Sequence, residues 1–145
     1  MSQRKTSIMF KKIKTLLLIS GIVDILQVLP LLLALFSSEM KTFFMEDAVK
    51  GSSQNPVASE VFSTFIFVFA FLGLAYIACV FIARSFNNIE VLQKSALLLA
   101  ILHLAWTLPD FVSVVLNKPH APLPVMIISL IPVVALFYGW KKGEL

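Results

Sequence analysis

The stretch KKIKTLLLISGIVDILQVLPLLLALFSS, residues 11–38, decides the fold. Between Ile13 and Phe36 its only charges are Lys14 and Asp24. Crossing a hydrocarbon layer of about 30 Å as a helix takes about 20 mostly apolar residues, and this run supplies them. A basic start and an apolar centre also describe a signal peptide. That reading fails on three counts: the run exceeds the usual 7–15 apolar residues, it contains Asp24 and Pro30, and it lacks a small-x-small cleavage site. The stretch reads as a retained membrane-spanning helix.

Three further runs repeat the pattern, at about 57–83, 92–116 and 123–140. The 145-residue chain is 59% hydrophobic and only 14% charged, against about 25% charged in soluble domains. Too few polar residues remain to cover a water-facing surface. Lipid cannot satisfy a backbone hydrogen bond, so each span must be helical. The expected fold is all-α, a single integral membrane four-helix bundle spanning residues 1–145.

The connections carry their own markers. Asn55 is a natural N-cap and Pro56 a natural first residue for the second span. RSFNNIEVLQK (84–94) and NKPHAPLP (117–124) read as short turns. The longest connection, 37–55, holds MKTFFMED (40–47) and reads as a loop anchored by Phe43 and Phe44, a surface-lying helix being the alternative.

Basic residues orient the bundle. Nine of them (Arg4, Lys5, Lys11, Lys12, Lys14, Arg84, Lys94, Lys141 and Lys142) fall on one side, against Lys41, Lys50 and Lys118 on the other. The positive-inside rule therefore puts both termini in the cytoplasm and the chain in a cell membrane, the cytoplasmic membrane if the source is bacterial. Clustered at span ends, these charges argue against nucleic acid as a partner. One cysteine, Cys79, and two histidines provide no metal or cofactor ligand set.

A carboxylate at the centre of a span costs about 2.5–3.5 kcal/mol on insertion scales and calls for a partner or a purpose. Counted from the cytoplasmic boundary, Asp24, Tyr76 and His103 fall in one layer near the midplane. Ser20, Asp24 and Gln27 form a stripe on the first span; His103, Trp106, Thr107 and Asp110 form one on the third. Two polar stripes in lipid should face each other. Asp24, Gln27, Tyr76, His103, Trp106 and Asp110 are thus the candidate ligand-binding set, with His103, Trp106 and Asp110 as an inward wall. Against that stands a purely structural Asp24–His103 pair. Pro30, Pro109 and Pro132 free the carbonyls of Leu26, Ala105 and Ile128. Such kinks can open a pocket beside Asp110, although a kink with no pocket is the commoner outcome. Ala75, Cys79 and Ala83, at four-residue steps, suggest close packing on the second span.

No catalytic residues are assigned, because the chain has no phosphate-binding glycine loop, nucleophile elbow or metal-binding histidine pair. The segment FSTFIFVFAFLGLAYIACVFIARSFNNIEVLQKSALLLAILH (62–103) resembles the middle of small DoxX-like bacterial membrane proteins. There an LG-x-x-Y segment leads to a short basic turn and a third span. That resemblance implies four spans and a cytoplasmic-membrane location rather than an activity. DILQ (24–27) and HLAWTLPD (103–110) resemble the sterol-isomerase and sigma-receptor group, whose acidic residues and tryptophan line an intramembrane pocket; the second span here has no such acid.

The expected function is non-enzymatic: binding a lipid or small apolar molecule, or serving as a subunit of a homo-oligomer or membrane complex. The alternatives are a proton-coupled carrier relaying through Asp24 and His103, and isomerase-like chemistry at His103 and Asp110.

Overall fold

The computed structural model describes residues 12–116 and 123–145. Its helices are α1 (Ile13–Phe36), α2 (Ser38–Ala48), α3 (Pro56–Ser85), α4 (Ile89–Val115) and α5 (Leu123–Lys142), with a 3₁₀ turn at Ser52–Gln54 between α2 and α3. α1, α3, α4 and α5 are long and apolar enough to cross a membrane, and only 28–39% of their most apolar windows is buried. The rest of those windows needs lipid around it.

Local chemistry sets the helix ends. Asn55 Oδ1 accepts from the N–H groups of Val57 and Ala58 at 3.0 and 3.2 Å, so α3 starts at Pro56. Asn88 caps Glu90 and Val91 in the same way, which starts α4 three residues before the boundary expected at 92. The expected loop at 40–47 is instead part of α2. Ser37 Oγ accepts from Met40 N–H, and Glu39 sits in the first turn, where the helix dipole favours a negative charge. Phe43 is exposed while Met45 is fully buried, so α2 has a packed side and a free one. Of the expected 117–124 turn, residues 117–122 lie outside the described residues.

The chain divides into two compact units, one made of Ile25–Tyr76 and the other of the residues before and after it. In Ile25–Tyr76, Gly73 allows a close approach: a Cβ there would meet Val28 Cγ2 at 2.5 Å. Lys41 Nζ donates to Ser63 Oγ at 3.0 Å.

The other unit is tied together at one end. Lys12 and Glu144 form a parallel bridge, with Ile13 N–H donating to the Glu144 carbonyl at 2.9 Å. Gln93 donates to the Gly143 carbonyl, Arg84 to the Lys14 carbonyl, and Lys14 to Asn87 Oδ1. The start of α1, the end of α3, the start of α4 and the end of α5 therefore meet at one end, as an up-down-up-down chain requires. Lipid gives helices no hydrophobic reason to associate, so small residues and tight packing must do it. A Cβ on Gly139 would meet Ile13 at 3.3 Å and Leu16 at 3.4 Å. Val80 and Ala83 carry the packed face of α3 here, whereas Cys79 points outward. Ala75 is also exposed, so the expected Ala75–Cys79–Ala83 packing stripe is not the face α3 uses.

Candidate functional site

Asp24 ends the polar stripe of α1 within its unit. Ser20, one turn earlier and fully buried, donates its hydroxyl to Asp24 Oδ2 at 3.1 Å. The other carboxylate oxygen, Oδ1, lies 3.2 Å from His103 Nδ1 on α4. The contact has ion-pair distance without hydrogen-bond alignment, and Oδ1 has no hydrogen bond among the described residues. Asp24 and His103 are only 3% and 4% exposed, so the pair is sealed from its surroundings.

The second ring nitrogen settles the tautomer. His103 Nε2 lies 3.1 Å from the backbone carbonyl of Ser129 on α5. A carbonyl oxygen can only accept, so Nε2 must carry a hydrogen. Pro132 in the same stretch of α5 lacks an N–H and leaves the Ile128 carbonyl without its helical donor. Ser129 Oγ is engaged locally, donating to the Met126 carbonyl at 2.7 Å.

With Nε2 committed to the carbonyl, Nδ1 is the ring nitrogen that faces the carboxylate. One proton between Nδ1 and Oδ1 makes either an imidazolium–carboxylate or an imidazole–carboxylic acid pair. Both are neutral overall, which is the inexpensive way to keep two ionisable groups inside lipid. Removing that proton would set a ring lone pair against a buried carboxylate.

The remaining candidates are placed differently. Trp106 is 44% exposed, which corrects its place in the inward wall. Three residues advance a helix by about 300°, four by about 400°; the second rotation returns closer to the direction of His103. Thr107, only 1% exposed, takes the inward position and donates to the Leu104 carbonyl. Asp110 is half-buried, and its backbone carbonyl accepts from Ser113 Oγ. Gln27 and Tyr76, both half-buried, belong to the Ile25–Tyr76 unit. The Gln27 Nε2 atom is buried without a hydrogen-bond partner among the described residues. No group of three or more His, Cys, Asp or Glu side chains able to hold a metal occurs among them.

A feature the sequence did not signal lies between α1 and α5. There an apolar groove of about 530 Å³ is floored by Leu16 and Ala135, flanked by Ile19, Ile131 and Val134, and bordered toward the end of α5 by Tyr138. Apart from the tyrosine its walls are aliphatic. No residue type marks such a site, because it exists only in the shape left between two apolar faces.

Scans against protein-family models, curated proteins and solved structures found no match, so the likeness to DoxX-like proteins rests on the quoted residues alone. The helices and composition define a multi-pass membrane protein whose buried polar centre is an Asp–His pair.

Proposed function

We propose that this is a non-enzymatic membrane protein that binds a lipid along α1 and α5, with both termini in the cytoplasm. The carrying observation is the aliphatic groove over Leu16 and Ala135. Its volume falls in the usual range of about 300–1,000 Å³ for ligand sites, and its chemistry suits an alkyl chain. The Asp24–His103–Ser129 connection supports this reading by joining α1, α4 and α5, which holds the two groove walls in place. Basic residues at the shared end support the cytoplasmic assignment.

Native mass spectrometry of the full chain, extracted in mild detergent, tests the proposal. Lipid should remain bound to the wild type, and Ala135→Leu, which builds into the groove floor, should reduce the bound fraction. A lipid-free wild type would defeat it.

A second reading, a proton-coupled carrier, is favoured by one observation: Nδ1 of His103 lies 3.2 Å from Asp24 Oδ1, two ionisable groups in contact on α1 and α4. In reconstituted vesicles Asp24→Asn should then abolish pH-driven flux. Flux equal to wild type would remove the relay.

A further inference from the structure

We infer that the groove takes an anionic phospholipid, with an acyl chain between α1 and α5 and the headgroup phosphate held by Lys12, Lys141 and Lys142. This rests on the lipid-binding reading above.

The geometry of the two walls carries it. On α5 the groove runs from Ile127 to Tyr138, eleven residue steps, or about 16 Å at 1.5 Å per residue. One leaflet of a hydrocarbon core about 30 Å thick is about as deep. Lys141 and Lys142 follow Tyr138 at i+3 and i+4, on the same helix face as the groove mouth. On the facing wall Lys12 immediately precedes α1, its carbonyl accepting from Leu16 N–H at 3.2 Å, so that wall too ends beside a cation. Both apolar walls thus terminate in lysine at one end, a headgroup's depth beyond an interfacial tyrosine.

Charge at that end agrees. Six basic residues (Lys12, Lys14, Arg84, Lys94, Lys141, Lys142) stand against Glu90 and Glu144. Lys94 is paired with Glu90, Lys14 is bound to Asn87, and Arg84 is bound to a backbone carbonyl. Lys12, Lys141 and Lys142 are exposed and form no ion pair among the described residues, and Lys141 lies 5.1 Å over the Trp140 ring. Lysines near an anionic membrane surface attract its lipids by roughly fivefold each.

The test is competition between phosphatidylglycerol and phosphatidylcholine of identical chains, read by native mass spectrometry on the full protein. Phosphatidylglycerol should be retained preferentially. Lys141→Gln with Lys142→Gln should lower that preference by roughly 25-fold, and Lys12→Gln by roughly fivefold. Lys50→Gln, in the other unit, should leave it unchanged. Ala135→Leu should weaken both lipids and keep their ratio. Equal retention of the two lipids, or the same loss of preference from Lys50→Gln, overturns the headgroup assignment while leaving the lipid reading intact. If neither lipid is retained, the lipid reading fails, and this inference with it.

Discussion

His103 Nδ1 sits 3.2 Å from Asp24 Oδ1, while Nε2 of the same ring is 3.1 Å from the Ser129 carbonyl oxygen. One imidazole therefore joins three of the spanning helices, its Nε2 hydrogen committed to its backbone partner. Removing the ring strands a buried carboxylate. His103→Ala should lower stability by about 3–5 kcal/mol, whereas replacing both residues with leucine should recover most of that loss. Thermal unfolding in detergent reads the difference; a single variant that melts with the wild type would show the pair to be dispensable.

Gly73 tolerates no side chain while Val28 stays in place. A Cβ 2.5 Å from Val28 Cγ2 forces one of them to move, and overpacking of this kind costs about 1–3 kcal/mol. Gly73→Ala should therefore destabilise the protein, and adding Val28→Ala should restore it. Failure of the second substitution to rescue the first would place the strain elsewhere.

Gln27 presents the opposite case, a buried amide nitrogen with no hydrogen bond among the described residues. Leaving such a donor unpaired costs about 1–3 kcal/mol. Gln27→Met keeps the length and removes the donor, so it should raise the melting temperature. A lower melting temperature would reveal a role for the amide.

Glu46, in the last turn of α2, accepts hydrogen bonds from the Ser53 hydroxyl and from the Gly51 and Ser53 N–H groups at the 3₁₀ turn. These bonds, the Ser53 hydroxyl foremost, hold its carboxyl below the ordinary glutamate range. A folded value lower than the unfolded one means the contribution is complete above the unfolded value, near 4.3, and is lost as pH falls through the folded one. Amide exchange at Gly51 and Ser53, corrected for intrinsic rate, should accelerate over that acidic window. In Glu46→Gln the pH dependence should vanish; an unaltered profile would assign it to another group.

The spans were legible because lipid imposes one crude rule, length times apolarity, and α1 (Ile13–Phe36) obeys it to the residue. That the polar stripes of Asp24 and His103 should face each other was legible too, from depth and from the penalty on lone charges in hydrocarbon. Whether the two side chains touch was not, because depth along a helix leaves the distance across the bundle open. Trp106 was misplaced because i+3 and i+4 neighbours point about 100° apart, and sequence spacing treated them as one face. α2 was missed because eleven residues without a strong apolar stripe resemble a loop until Ser37 is seen capping Met40. The groove was invisible because Leu16, Ile19 and Ala135 are ordinary lipid-compatible residues whose significance lies in what their neighbours leave empty.

Cys79 is the chain's only thiol, and it points away from the packed face of α3. The native polypeptide therefore already carries a unique attachment point for a spin label on its outward surface. Relaxation by dissolved oxygen against a water-soluble nickel chelate would give the immersion depth of α3 directly, with no substitution to perturb the result.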